Sequence, residues 1–199
     1  MGFRICWIAL ESEDRQRCLQ TFGMVETGRS DEELELPFSL ATLPTGWTIL
    51  FSNDESNPSE AQAGVYSRAA RVIRCQVNEN EMTSAVTCYA EGELLWSLTH
   101  NSELGFYHIA PAGAAPSFVH EIIARLTAEQ DANGGEKSDV DFLFEAPIEL
   151  AAELTGFRHD ESEFDWGEAN FVEVRPIGKK ADLGKKSLWR RIFSRDHVG

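Results

Sequence analysis

Carboxylates are the most numerous side chains in this sequence that could take part in chemistry, and many of them fall between positions 145 and 168. Glu149 and Glu153 are one helical turn apart, and like charges at that spacing destabilise a helix by about 0.2–0.5 kcal/mol. Such a cluster is typical of a surface for a basic partner, and aromatic residues ringed by charge are typical anchors. The sequence therefore predicts a partner-binding face formed by Glu149, Glu153, Asp160, Glu161, Glu163, Asp165 and Trp166.

Three features of this acidic segment leave alternatives open. Phe164 and Trp166 could instead fix the loop to the hydrophobic core. A second acidic run that begins at Asp31 could belong to the same surface or form a solvated loop. His159 precedes a set of carboxylates that could bind a hard cation, although loops of this composition are more often simply solvated.

Histidine is the usual acid–base residue near neutral pH, and His100 and His108 flank one predicted hairpin. A loop with an odd number of residues would place both rings on one face of the sheet, close to Glu103 in sequence. This pattern supports an alternative function, an enzyme or a small-ligand or metal-binding protein that uses the His100/His108 hairpin. Two polar residues at strand ends explain the same pattern, and no complementary ligand motif accompanies them.

Motifs for catalysis or cofactor binding are absent from the sequence, which contains no GxGxxG, GxSxG or HExxH. Gly178 and Gly184 enclose five residues where a phosphate-binding loop needs four. The segment that begins at Asp131 has Phe142 where a calcium-binding loop requires Glu. We therefore predict no catalytic residue, no metal site and no cofactor, and a chain that is better explained as a non-enzymatic protein.

The four cysteines have apolar surroundings in the sequence. Cys75, for example, shares a predicted strand face with Ile73 and Val77, and no CxxC pair occurs. Free cysteine behaves as a small buried hydrophobe, so we expect Cys6, Cys18, Cys75 and Cys88 to be reduced core residues. The apolar run 3–10 is too short to span a membrane and is followed at once by acidic residues. These features predict a cytoplasmic protein.

Charge is distributed unevenly along the chain, which carries 33 acidic residues against 18 Lys and Arg, a formal net charge of −15. Seven of the basic and two of the acidic residues lie in 179–199, which leaves 11 basic and 31 acidic residues, a net charge of −20, in 1–178. A body this acidic repels nucleic acid and anionic lipid and attracts basic partners. We therefore expect a basic protein partner and no nucleic acid.

The basic end of the chain carries an apolar stripe made of Leu188, Trp189, Ile192 and Phe193. Arginines stand beside this stripe, so it could form a short amphipathic anchor for a membrane or a partner. Alternatively, it docks on the acidic body or stays disordered. Contact with an anionic membrane would have to overcome the negative charge of the body, which favours this second interpretation.

Hydrophobic periodicity predicts the secondary structure, with strands at 3–10, 47–51, 71–77, 83–90, 93–100, 105–110, 140–144 and 171–175 and helices at 13–22, 60–70, 116–130 and 147–155. The short polar links between the four central strands require antiparallel neighbours. The predicted fold class is α+β, a mainly antiparallel sheet of about five to seven strands with three or four helices packed on one face. Residues 26–43 are predicted to be mostly irregular. The predicted organisation is a single acidic domain over 1–176 and a basic tail over 177–199.

Three stretches, GWTILFSND (46–54), LLWSLTH (94–100) and IELAAELTGFRHDE (148–161), resemble segments of small uncharacterised bacterial proteins. In type, a compact acidic chain without catalytic motifs is similar to bacterial immunity proteins, which neutralise a toxin by occluding it. This resemblance in character implies a protein-binding module that occludes a basic toxin or nuclease.

Overall fold

One antiparallel sheet of nine strands organises the computed structural model, which describes residues 2–178. The strands are β1 Arg4–Leu10, β2 Met24–Ser30, β3 Phe38–Thr42, β4 Thr48–Ser52, β5 Val72–Asn78, β6 Thr83–Ala90, β7 Glu93–Asn101, β8 Ala110–Gly113 and β9 Val172–Pro176. They lie side by side in the order β2-β9-β3-β4-β1-β5-β6-β7-β8. The predicted α+β class with an antiparallel sheet is confirmed, with nine strands in place of five to seven.

Strand β1 lies at the centre of the sheet, between β4 and β5. Ile5, Trp7 and Ala9 belong to the core on one face, which we call the first face, and Ile8 and Leu10 belong to the core on the second face. Each of these five side chains is at most 1% exposed. The continuous apolar run in the sequence therefore reflects burial on both faces.

Helices cover both faces of the sheet. Helices α1 (Arg15–Phe22) and α2 (Glu60–Tyr66) pack on the second face, and α3 (Val119–Ala132) and α4 (Ala146–Thr155) pack on the first. The prediction that all helices pack on one face was wrong. The sheet is apolar on both faces, and each apolar face must be covered by another element.

Local signals begin and end these helices. Asp14 caps α1 by accepting a hydrogen bond from a backbone N–H at 3.0 Å. Ser59 and Gln62 form a reciprocal capping box at the start of α2. Pro147 lies in the first turn of α4, and Gly156 ends this helix in the left-handed conformation with φ 74°. The short-range chemistry of the sequence therefore sets the helix ends.

Residues 26–43, predicted to be mostly irregular, contain most of β2 and all of β3. Strand β2 is an edge strand whose residues are largely exposed, so it has no alternating apolar pattern that could reveal it. Strand β3 is short and lies between Pro37 and Pro44. The prediction was wrong because β2 is ordered by pairing with β9, which is far away in sequence, and β3 pairs with β4 along its whole length and with β9 at two residues.

The prediction of a strand at 105–110 was also wrong. A 3₁₀ turn over Ser102–Leu104 follows β7, and Gly105 then has φ 108°. Asn101 accepts a hydrogen bond from the Glu103 backbone N–H at 2.9 Å, which stabilises the turn. Strand β8 does not begin until Ala110. The link between β7 and β8 is therefore longer than the short turn that the sequence predicted.

The strand predicted at 140–144 is a 3₁₀ turn over Phe142–Glu145. Asp141 caps this turn by accepting from the Phe144 backbone N–H at 3.3 Å. Leu143 and Phe144 are buried on the first face from this turn. The apolar composition was therefore interpreted correctly as core and incorrectly as strand, because short apolar runs do not distinguish the two.

All four cysteines are buried and unpaired, as predicted. Burial raises the pKa of the Cys6 thiol to about 12 and that of Cys88 to about 11, so neither is a reactive thiolate near neutral pH. Within residues 2–178, no helix is long and apolar enough to cross a membrane. The predicted basic tail, apart from Ile177 and Gly178, lies outside the described residues.

Two glycines that end helices in left-handed backbone provide a matched test of packing. We expect Gly23→Ala to lower the free energy of unfolding by about 1–2 kcal/mol, the conformational cost alone. We expect a larger loss from Gly156→Ala, because a Cβ there would lie 2.7 Å from Thr45 Cγ2 whereas position 23 has no neighbour within 4 Å. Urea denaturation measures both values. Equal losses would contradict a tight contact between Gly156 and Thr45.

Candidate functional site

Six of the seven predicted partner-binding residues line one groove beside α3 and α4, with a volume of about 520 Å³. Helix α4 contributes Glu149 and Glu153 from successive turns, and the segment that follows α4 contributes the others. We call this concavity the acidic groove, and its charged and aromatic lining is Arg125, Glu149, Glu153, Phe157, Arg158, Glu161, Glu163, Phe164, Asp165 and Trp166. The seventh predicted residue, Asp160, lines a neighbouring cavity instead.

A tight turn holds the aromatic residues of the groove. Phe164 and Gly167 exchange backbone hydrogen bonds of 2.9 and 3.0 Å. The rings of Phe164 and Trp166 stack, with centroids 4.7 Å apart and 4° between the ring planes. Trp166 Nε1–H donates to the carbonyl oxygen of Gly156 at 3.0 Å, which ties the turn to the end of α4. The aromatic pair therefore fixes the loop to the core, and it also lines the groove.

Arg158 neutralises part of the acidic segment. Its Nη2 donates to Glu145 Oε2 at 2.6 Å and to Asp160 Oδ2 at 3.1 Å, and its Nε donates to Asp160 Oδ1 at 2.8 Å. Burial raises the pKa of Glu145. Burial is also the largest single effect on Asp160 and acts in the same direction, but the hydrogen bonds and charge of Arg158, together with His159, lower the pKa of that carboxyl. One guanidinium thus holds the half-buried Glu145 and the exposed Asp160 together.

Helix α3 supplies the second cation of the groove. Arg125 pairs with Glu149 across the groove and with Glu129 on its own helix. Within the described part of the chain, by contrast, no Lys, Arg or His forms an ion pair with Glu153, Glu163 or Asp165. These three carboxylates are exposed, and they give the groove its unbalanced negative charge.

A second concavity of about 430 Å³ adjoins the groove and shares Phe157, Glu161 and Phe164 with it. We call it the His159 cavity. Its aromatic wall consists of Phe3, Phe51, Phe157, Phe164 and Phe171. Exposed carboxylates surround its mouth, namely Glu32, Glu33, Asp160, Glu161 and Glu168. The cavity therefore combines an apolar wall with an acidic rim.

The acidic run that begins at Asp31 divides between the core and this cavity. Asp31 is buried and accepts hydrogen bonds from the backbone N–H groups of Glu35 at 3.0 Å and Leu36 at 3.3 Å, so it stabilises the loop. Glu32 and Glu33 point outward at the cavity mouth. Of the two interpretations that the sequence left open, a shared surface describes Glu32 and Glu33, and a structural loop describes Asp31.

His159 lines the cavity although its side chain is only 2% exposed. Its ring meets Phe3 edge-on, with centroids 5.0 Å apart. Among residues 2–178, its Nδ1 has no hydrogen-bond partner, and it lies 3.8 Å from Asp160 Oδ1. Burial lowers the pKa of His159 to about 4 and outweighs the nearby carboxylate. The cavity therefore contains a neutral imidazole with an unsatisfied nitrogen.

The His100/His108 hairpin forms a structural network. His100 is fully buried, its Nδ1 lies 2.8 Å from the carbonyl oxygen of His108, and its Nε2 lies 2.9 Å from Asp141 Oδ2. Because the ring is fully buried and both of its nitrogens already contact protein oxygen atoms, His100 is not accessible to a metal or substrate. In the described ranges, no group of three His, Cys, Asp or Glu side chains converges on a possible metal position. No contact in the hairpin favours the alternative function.

Sequence reasoning missed the two arginines of the groove and the cavity around His159. The spacing of Arg125 and Glu129 is visible in the sequence, but the contact between Arg125 and Glu149 joins two helices. Arg158 has several carboxylates nearby in sequence, so no local pattern selects its partners. The phenylalanines of the cavity come from distant segments, and only the sheet brings them together.

Comparisons of this chain with protein-family models, with curated proteins and with solved structures found no match. The similarity in character to immunity proteins therefore stays a prediction.

Removal of the cation shared by Glu145 and Asp160 should destabilise the domain. We expect Arg158→Gln to lower the free energy of unfolding by about 1–3 kcal/mol, because a largely buried guanidinium loses its charge-assisted hydrogen bonds to Glu145 and Asp160. Arg125→Gln is the matched control. Its side chain is 50% exposed, so its ion pairs should contribute only about 0–1 kcal/mol. Urea denaturation compares the variants, and equally small losses would contradict the role assigned to Arg158.

His159 should make stability depend on pH in the weakly acidic range. Its folded pKa of about 4 lies below its ordinary value of 6.5, so the unfolded chain binds the proton first. The free energy of unfolding should therefore fall as the pH is lowered from 6.5 to 4. His159→Gln removes this titration, so its curve should be flatter by up to about 1.4 kcal/mol per pH unit.

Urea denaturation at several pH values measures both slopes. The carboxylates titrate in both proteins, so their contributions cancel in the difference between the two curves. Parallel curves would contradict a buried, neutral His159.

Proposed function

We propose that this chain is a non-enzymatic binding protein whose acidic groove binds a basic protein partner. The observation that carries the proposal is the set of three exposed carboxylates in one concavity, Glu153, Glu163 and Asp165, none of which has an ion-pair partner within residues 2–178. Like charges held together repel one another, and a cationic partner would relieve that repulsion on binding.

The aromatic pair of the groove supports the same conclusion. Phe164 and Trp166 form a stacked and half-buried pair beside the unpaired carboxylates. A guanidinium group can stack on an aromatic face and donate paired hydrogen bonds to a carboxylate. An arginine-rich partner surface could therefore use both features of the groove.

A nuclease-like toxin is the partner class that we favour. A nuclease must present basic residues to the phosphates of its substrate, and an acidic groove placed over that surface would occlude it. Such an inhibitor would act as immunity-type proteins do, in the cytoplasm. The charge of −20 over residues 1–178 disfavours nucleic acid as a direct ligand of this protein.

A capture experiment tests the proposal with charge-matched variants of the full-length chain. The groove variant is Glu153→Lys with Glu163→Lys, and the control is Glu13→Lys with Glu93→Lys, two exposed positions outside the groove. Each protein is immobilised, exposed to cell extract at low and moderate salt, and its bound proteins are identified by mass spectrometry. We expect the wild type and the control to retain a basic protein, more strongly at low salt, and the groove variant to lose it.

The retained protein then gives a quantitative test. We expect the groove variant to associate about ten-fold more slowly than the wild type at low salt, because electrostatic steering is lost. If the partner is a nuclease, the wild-type chain should inhibit it and the groove variant should not. Equal association rates for the groove variant and the control would contradict the proposal.

A further inference from the structure

The lining of the His159 cavity is complementary to a segment that is both apolar and basic. Phe51, Phe157 and Phe171 form a buried wall, and each is at most 3% exposed. Phe3 is 42% exposed, so part of the apolar lining faces solvent. The carboxylates at the mouth belong to two segments, Glu32–Glu33 and 160–168. A ligand that fills this cavity must bring apolar groups to the wall and cations to the rim.

The unsatisfied nitrogen of His159 independently indicates a ligand. Its Nδ1 is buried and has no hydrogen-bond partner within residues 2–178, although it lies on the side of Asp160, which also lines the cavity. Buried polar groups of proteins are almost always hydrogen-bonded. When the proton of the neutral ring is on Nε2, Nδ1 is a hydrogen-bond acceptor. An N–H group of a bound segment could then donate to it.

The end of this chain has the matching composition. Residues 187–195 have the sequence SLWRRIFSR. Two pairs of apolar residues in this segment enclose a pair of arginines, and a third arginine ends it. The larger segment 179–199 carries seven basic residues against two acidic ones, whereas the preceding chain has a net charge of −20. An indole or a guanidinium group would supply the N–H donor that His159 lacks. Charge, apolar character and hydrogen bonding are therefore all complementary.

The chain is also long enough to reach the cavity. Phe171 lines the cavity and directly precedes β9, which ends at Pro176. A five-residue strand spans about 17 Å, so the chain leaves β9 about that far from the cavity. The ten residues 177–186 span up to about 33–36 Å when extended. This connector can bring residue 187 back to the mouth.

We propose that residues 187–195 of this chain bind intramolecularly in the His159 cavity, with their apolar side chains on its phenylalanines and their arginines at its carboxylates. A tethered segment acts at an effective concentration in the millimolar range, so modest contacts suffice. A basic partner of the groove would have to displace the segment from the shared residues Glu161 and Phe164. The inference concerns the chain alone and does not require a partner.

A nitroxide spin label near the end of the full-length chain tests this placement. The label is attached at Val198→Cys, beyond the proposed binding segment, and the four native cysteines are buried and thus protected from it. In amide NMR spectra, Phe3, Glu33 and His159 should lose intensity. The amides of α2, on the opposite face of the sheet, should keep theirs. The proposal would be overturned if the amide signals at the cavity kept their intensity, or if the signals on both faces of the sheet lost intensity equally.

Three variants of the labelled chain identify the contacts. Intensity at the cavity should recover in the tail variant Trp189→Ser, Arg190→Ser, Arg191→Ser, and in the cavity variant Glu33→Lys, Glu168→Lys. The control Glu13→Lys, Glu93→Lys changes the charge of the body equally and should leave the intensity loss in place. Loss that survives in both the tail and cavity variants overturns the proposal, as does recovery in the control.

A mixed sample distinguishes this docking from contact with a second copy. One sample of the chain carries the spin label but no NMR isotope, and it is mixed with a second sample that carries the isotope but no spin label. We expect no intensity loss in this sample, whereas loss at the cavity would identify a second copy as the occupant and overturn the proposal. These measurements contain no partner, so their outcome is independent of the capture experiment.

Discussion

Two-sided burial of the antiparallel sheet is the constraint on which the rest of the structure depends. Strand β1 is apolar on both faces, so α1 and α2 must cover the second face, and α3 and α4 must cover the first. Helix α4 packs over β5, β6 and β7, whereas the strand that follows it, β9, lies between β2 and β3. The chain must therefore cross the first face between 157 and 171. This crossing places the acidic segment over the phenylalanines of the sheet and forms both concavities.

Electrostatics then determines which parts of this crossing are structural. Arg125 holds Glu149 and so joins α3 to α4, and Arg158 holds Glu145 and Asp160 and so joins the turn before α4 to the segment after it. The exposed carboxylates that have no ion pair within residues 2–178 lie further out, in the groove and at the cavity mouth. Exposed like charges contribute little to folding. The binding function that we propose would use their concentration on one surface, because a cationic segment would replace their mutual repulsion with attraction.

Two buried histidines differ in whether their ring nitrogens are already hydrogen-bonded within the described residues. His100 has acceptors at both ring nitrogens, and its contact with Asp141 joins β7 to the turn that precedes α4. This network helps to position the helix that supplies Glu149 and Glu153 to the groove. His159 is also buried, but Nδ1 has no partner in the described residues, and the ring lies at a concave surface. Burial explains the neutral ring in this environment, and the unsatisfied, buried nitrogen is the feature of the cavity that the proposed N–H donor would complete.

The sequence by itself determined most local elements, because their signals lie within a few residues of one another. The apolar run of β1, the strands β5 to β7 with their short links, the four helices and the buried cysteines were all predictable on this basis. The spacing of Glu149 and Glu153 also placed them correctly on one side of α4. Only the tertiary structure decided that β2 is a strand, because its order depends on pairing with the distant strand β9 rather than on its own propensity. The order of the strands likewise brings Glu33 and His159, which are far apart in sequence, to one cavity, because contacts between distant segments follow from sheet order, which no local pattern encodes.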